Sequence, residues 1–200
     1  MNPYYHTTES IRNVVREDLL PELNKDIEQI FFYGAGCDSE LKNAVVRDAL
    51  NSSFPHADIN IYHDLLGAAR ACFLRDPGIA CILGTGSNSC LYDGSEIIEH
   101  IPSLAFILGD EGSAGYFGKK LINKYYRYEL PDDLRKALES DYNMDLDHIT
   151  KGLCMMARKK VGLLRSYGSF LGEHADHPLI VKMLYDEGSE FYLAYSSQIY

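Results

Sequence analysis

The sequence contains no uninterrupted apolar run long enough to span a bilayer, and its first residues, Met1-Asn2-Pro3-Tyr4-Tyr5-His6, carry neither the basic flank nor the apolar core of a signal peptide. A cytoplasmic protein is expected. Basic residues are few: 19 Lys and Arg stand against 29 Asp and Glu, giving a formal charge of -10 and a pI near 5.1. Nucleic acid and anionic membrane surfaces are bound through clustered Lys and Arg, so both are disfavoured as partners, and any phosphate must be held by local donors. The five cysteines, Cys37, Cys72, Cys81, Cys90 and Cys154, are odd in number, include no C-x-x-C pair and sit mostly in apolar stretches. Buried thiols in a reducing compartment are expected, in place of a disulfide framework or a zinc site. Repeats and low-complexity tracts are also lacking.

What is present is ordinary globular material, 200 residues of which 46% are hydrophobic and 24% charged. Residues 8 to 20 place Ile11, Val14, Val15 and Leu19 at helical spacing, and Pro21 ends that helix. Ile30-Phe31-Phe32-Tyr33, closed by Gly34-Ala35-Gly36, reads as a buried strand delivering its end to a loop. A helix over 39–50, a strand over 58–62 and a helix over 65–74 follow, and this alternation argues for an α/β layered domain. After Asp76-Pro77-Gly78, the run Ile79 to Leu83 reads as a buried strand. Asp93-Gly94 then supplies a hairpin turn, making 79–99 an antiparallel meander. Beyond Ser113 the spacing predicts helices over 116–126, 132–139, 146–159 and 178–195.

Three constellations have the residue types that chemistry needs. Gly84-Thr85-Gly86-Ser87-Asn88 ends a strand with two glycines and several hydroxyl and backbone donors, which suits a phosphate cradle, although a plain turn has the same composition. Gly109-Asp110-Glu111-Gly112-Ser113 opens a helix. Capping explains one acidic residue there, while two carboxylates bracketed by glycines suit a contact to ligand hydroxyls. Asp64 stands where a strand hands over to a helix, as either a helix cap or a base able to take a proton from an attacking hydroxyl. Its neighbour His63 reads as structural.

In this order the three motifs resemble the N-acetylglucosamine kinase family and the wider group of ATPases named after BadF and BadG, most densely from Tyr62 to Gly118. The resemblance implies an α/β, ribonuclease-H-like, actin-like ATPase architecture of two domains closing on a cleft. It divides the chain into a partial N-terminal domain, 1–76, and a partial C-terminal domain with a helical insertion, 77–200. It further implies ATP-dependent phosphorylation of N-acetylglucosamine or a related amino sugar at the 6-hydroxyl, with ATP and Mg²⁺ as cofactors and a homodimer as the assembly common among relatives. Asp64 matches the family's catalytic base. Gly84, Thr85, Gly86 and Ser87 match its second phosphate motif, and Asn88, Gly109, Asp110 and Glu111 match its sugar-binding segments. Asn2 looks like the family's Asn-Pro sugar contact, and Gly34-Ala35-Gly36-Cys37 resembles a loop lining the same cleft. Two family features are not found: an Asp-x-Gly-x-Thr-Lys-Thr type motif before Met1, and a glycine-rich adenosine segment after Tyr200. An architecture incomplete at both ends is therefore expected.

Two rival readings remain. An activator ATPase would hold an iron-sulfur cluster in cysteines, against which the apolar setting of the cysteines weighs; a non-catalytic sugar-binding relic would bind sugar without nucleotide. His174-Ala175-Asp176-His177 lacks a third ligand at sensible spacing, so no metal site is expected there. Arg158-Lys159-Lys160 reads as a solvated run, and Tyr125, Tyr126 and Tyr128 as packing for a helix end.

Overall fold

A computed structural model of the chain describes residues 1–23, 26–154 and 157–196. Helix α1 (Thr8–Val14) begins at Thr7, whose hydroxyl accepts the Ser10 N–H at 3.2 Å, and passes into a wider π-helical turn over Val15–Leu19 before Pro21 closes it in a 3₁₀ turn. Only Ile11 and Val15, one helical turn apart, are buried. Val14 and Leu19, expected on the same face, are exposed, because a stripe including Val14 is wider than the surface that this helix covers.

Strands β1 (Gln29–Gly34) and β2 (Asp58–His63) pair in parallel, with Ile30 opposite Ile59 and Phe32 opposite Ile61. Residues two apart share a face, so these four side chains turn together onto a core of Ile11, Val15, Cys37, Val46, Ala49, Leu50 and Phe54. Helix α2 (Glu40–Asn51) provides the crossover that a parallel pair requires. On the opposite face Tyr33 and Tyr62 stack at 5.2 Å, and α3 (Asp64–Phe73) packs there through Gly67, where a Cβ would come within 2.9 Å of the Tyr33 ring. Strand β1 is thus not wholly buried as expected. It alternates, and Phe31 is exposed.

Strands β3 (Gly78–Leu83), β4 (Ser87–Tyr92) and β5 (Ile97–Ile101) form a second sheet in that order. The connections 84–86 and 93–96 are too short for a crossover, so neighbouring strands run antiparallel. Within β3 only Ala80 is buried and Leu83 is exposed, which corrects the expectation of a buried strand. A short α4 (Ala105–Leu108) precedes the helical part: α5 (Ala114–Tyr126), α6 (Asp132–Asp141), α7 (Leu146–Cys154), α8 (Ala157–Glu173) and α9 (Pro178–Phe191). The helix expected over 146–159 is described on either side of Met155 and Met156, as α7 and the start of α8; those two residues lie outside the described residues. Their core joins Leu121, Leu134, Leu138, Ile149, Leu164 and Phe170 with Ile180 and Met183. Helix α9 is also tied to α5 by an ion pair between Lys120 and Glu187 at 3.2 Å and a hydrogen bond from the Tyr116 hydroxyl to Glu190.

By its internal contacts the chain divides into two units, Met1–Ala80 with Tyr92–Ile97, and Cys81–Leu91 with Ile98–Tyr200. No helix among the described residues is long and apolar enough to cross a membrane. Cys37 and Cys90 are buried as expected, but Cys72 and Cys81 are exposed: each falls on the outward side of an element whose other face packs. The side chains of Cys154 and of the Arg158-Lys159-Lys160 run lie outside those described. His177 caps α9 by accepting the Leu179 N–H and lies 3.5 Å from Asp133, while His174 stacks on Phe170, so both have structural work. Tyr125 and Tyr126 pack on the core as expected; Tyr128, with a φ of 59°, is exposed.

Candidate functional site

In the first unit the chain start folds onto the loop after β1. Asn2 Oδ1 accepts the Tyr4 N–H at 2.9 Å, and the carboxamide packs so closely on Gly36 that a Cβ there would lie 2.5 Å from Oδ1. Gly36 also has a φ of 79°, so glycine is required by conformation as well as by space. Asn2 and Gly34-Ala35-Gly36-Cys37, far apart along the chain, are therefore in contact. The adjacent Tyr4 hydroxyl shares the Asp38 carboxylate at 3.1 and 3.2 Å. Burial raises the pKa of the Cys37 thiol, and the charges of Asp38 and Asp64 raise it further, against the opposing N-terminal ammonium.

Asp64 is the first residue of α3, but it is not the cap. That position belongs to His63, whose Nδ1 accepts the Leu65 N–H at 3.2 Å. The capping account of Asp64 is thereby replaced: the cap is His63, and the Asp64 carboxylate, two-thirds covered, has Oδ1 3.0 Å from the same His63 nitrogen. His63, read from the sequence as structural, is so as the cap of α3, but its contact with Asp64 was missed. Its place immediately before a helix was the available signal, weak because His is not a favoured cap.

In the second unit the two glycine-rich motifs are brought together. The loop 84–86 is tightened by a bond from Gly84 N–H to Gly86 C=O at 2.9 Å. Its carbonyls then take the first free donors of α5: Ala114 N–H bonds to Gly84 C=O at 2.9 Å and Gly115 N–H to Thr85 C=O at 3.3 Å. Ser113 caps the next turn, its hydroxyl accepting Tyr116 N–H at 3.1 Å. The opening turn of α5 is thus occupied by protein, and the N–H groups of Thr85 and Gly86 enter none of these bonds. Neither Asp110 nor Glu111 is the cap, which replaces the ordinary capping account of that motif as well.

Asp110 is buried and holds a φ of 63°, a conformation costing a non-glycine residue about 1 kcal/mol or more. Its Oδ1 accepts the Ser87 N–H at 3.3 Å, and a Cβ on Gly86 would meet that carboxylate at 2.9 Å. Burial pushes the Asp110 carboxyl above the ordinary carboxylate range, the Ser87 N–H opposes, and the Glu111 charge adds to the rise. Gly109 closes on Ser103, whose carbonyl would lie 2.1 Å from a Cβ at that position. The Ser103 carbonyl accepts both Asp110 N–H at 3.1 Å and the Tyr195 hydroxyl at 3.0 Å. Tyr195 is a second residue that sequence reasoning missed; nothing in a helix-end tyrosine announces a contact with position 103. The Ser87 hydroxyl is fully buried beside Tyr195 without meeting hydrogen-bond geometry. Asn88, half-buried on β4, uses its Oδ1 on the Ser89 N–H at 2.9 Å, and Glu111 is half-buried next to Asp110.

No protein-family model matches the chain, and no curated protein matches it significantly. Solved structures do. A protein from Chromobacterium violaceum, provisionally named an N-acetylglucosamine kinase, aligns with a TM-score of 0.67 over 93% of this chain and 65% of its own, at 16% identity, a likeness of fold. A protein from Porphyromonas gingivalis, provisionally named likewise, aligns with a TM-score of 0.88 and 34% identity over 99% of this chain and 71% of its own. That identity, carried over essentially the whole sequence on an actin-like ATPase fold, makes this chain a member of the N-acetylglucosamine kinase family.

Proposed function

We propose that the chain acts as a kinase on an amino sugar of the N-acetylglucosamine type, transferring the γ-phosphoryl group of ATP to the 6-hydroxyl. The observation that carries this reading is Asp64: a partly covered carboxylate at a strand-to-helix junction, relieved of capping by His63. In the reaction the sugar O–H bond breaks and its proton passes to Asp64. The oxygen keeps the electron pair and bonds to the γ-phosphorus, and the bond from that phosphorus to the bridging oxygen breaks, leaving ADP. Gly84, Thr85, Gly86 and Ser87 are the proposed phosphate donors, supported by the Thr85 and Gly86 N–H groups, which make no backbone bond among the described residues. Asn2, Asn88, Gly109, Asp110 and Glu111 are the proposed sugar contacts. Among the described residues no cluster of three or more His, Cys, Asp or Glu is placed to hold a metal. Mg²⁺ carried by nucleotide phosphates needs only one or two protein carboxylates, and the positive charge of the ion would offset that developing on the phosphates.

The test is formation of sugar 6-phosphate from Mg-ATP and N-acetylglucosamine, with Asp64→Asn alongside. The substitution is expected to lower kcat by about 10²- to 10⁴-fold. An unchanged rate would remove Asp64 from the role of base, and sugar binding without turnover in the unsubstituted chain would favour a non-catalytic sugar-binding protein.

A further inference from the structure

His63 Nδ1 faces two partners that demand opposite things of it. The Leu65 N–H, 3.2 Å away, is a donor and needs a bare nitrogen. The Asp64 carboxylate, 3.0 Å away, is an acceptor and needs a proton on that nitrogen. One atom cannot serve both, so the protonation state of the ring decides which neighbour is satisfied.

We infer that His63 is a positioning residue for Asp64, leaving its carboxylate available as a base when Nδ1 is bare and engaging it when Nδ1 carries a proton. This rests on Asp64 being the base of the proposed reaction. With Nδ1 bare, the ring holds the first turn of α3 through Leu65 N–H, and the proton of a neutral imidazole sits on Nε2. No hydrogen bond then runs from the ring to Asp64. With both ring nitrogens protonated, Nδ1–H donates to Asp64 Oδ1, which lowers the basicity of the carboxylate and takes one of its lone pairs from the substrate. The same event removes the cap, so the start of α3, where Asp64 is anchored, loosens. Both ring and carboxylate are about one-third exposed, so solvent protons reach them.

Other ionisable groups bear on this pair from neighbouring segments. Cys37, in the loop after β1, feels the charge of Asp64 together with those of Asp38 and the N-terminal ammonium. Of the residue types gathered here, histidine is the one whose ordinary range falls between pH 5.5 and 7.5.

The experiment compares kcat/KM across that interval in the unsubstituted chain and in His63→Ser, whose hydroxyl retains a cap acceptor but does not titrate. The ratio between the two ends is read within each protein, so any change in overall rate cancels. The unsubstituted chain is expected to lose about tenfold on going from pH 7.5 to 5.5, and His63→Ser less than about twofold. Superimposable profiles overturn the inference, since a purely structural histidine would lower the rate equally at all pH. Nitrogen-15 NMR of the labelled ring supplies a readout that needs no turnover: a bare Nδ1 at pH 7.5 that gains its proton on acidification supports the inference, and a protonated Nδ1 in the neutral ring overturns it. Should Asp64→Asn keep full activity, the assignment of the base fails, and the NMR result still reports on the nitrogen itself.

Discussion

Asp110 combines three features that each oppose stability: burial, a left-handed backbone and an elevated carboxyl pKa. A carboxyl whose pKa is raised by folding binds its proton more tightly in the native state. Its favourable contribution is complete below the unfolded pKa and is lost as the pH rises through the folded one, so at pH 7 the ionised group is a burden. Asparagine tolerates the left-handed region and can keep an acceptor for the Ser87 N–H while removing the charge. Asp110→Asn is therefore expected to stabilise the protein at pH 7 by about 0.5–2 kcal/mol, read as a higher urea midpoint. The gain should shrink as the pH falls and the native carboxyl takes up its proton, and sugar affinity should fall throughout. A loss of stability at pH 7 would mean that the carboxylate makes a compensating contact outweighing its burial.

At the scale of elements, helices α5 and α8 pack backbone to backbone. A Cβ on Gly118 would lie 1.9 Å from the Leu164 carbonyl oxygen, and one on Gly168 would lie 2.2 Å from that of Ala114, beside the cap that opens α5. A Cβ on Gly172, on the same helix, meets nothing within 4 Å. Alanine should thus act with opposite sign at two glycines one turn apart. Gly172→Ala gains about 0.5–1 kcal/mol from helix propensity, while Gly168→Ala forces the helices apart at a cost of about 1–3 kcal/mol or more, both measurable by thermal unfolding. The same glycines explain why this helix was hard to read. Gly162, Gly168 and Gly172 dilute its local propensity, so the sequence signal faded at Lys159, although tertiary packing carries the helix on to Glu173. The β1-α2-β2 segment was legible because its apolar residues alternate at period two on the strands and at three and four on the helix. The motifs around Asp64, Gly84 and Asp110 could be seen as residue types. Their contacts could not: the Asp110 to Ser87 bond spans 23 positions and depends on a left-handed turn, and the burial of Tyr195 against Ser103 spans 92. Nor could periodicity tell that Cys72 and Cys81 face outward, since both follow apolar neighbours.

For the whole molecule, the two units have separate cores, one containing Leu50 and the other Leu138, both almost completely buried. Truncating either leucine to alanine removes apolar contact and leaves a cavity, at a cost of about 2–5 kcal/mol. If each core is an energetic unit, hydrogen exchange followed by mass spectrometry should show the loss locally. Leu50→Ala is expected to raise exchange in 29–34 and 40–51 while 114–126 and 132–141 keep their protection, and Leu138→Ala should do the reverse. Exchange raised equally everywhere by both would make the chain one cooperative body, with the division only geometric. The informative peptide is 92–97, which the contacts group with Met1–Ala80 although the sequence boundary at 76 would assign it to the second domain. There Tyr92, fully buried, donates its hydroxyl to the Leu74 carbonyl at 3.0 Å, and Gly94 fits so closely on Arg75 that a Cβ would lie 2.1 Å from the Arg75 carbonyl oxygen. These contacts tie the turn between β4 and β5 to the end of α3, so 92–97 should lose protection with Leu50→Ala and keep it with Leu138→Ala; the opposite result would put the energetic boundary near residue 76.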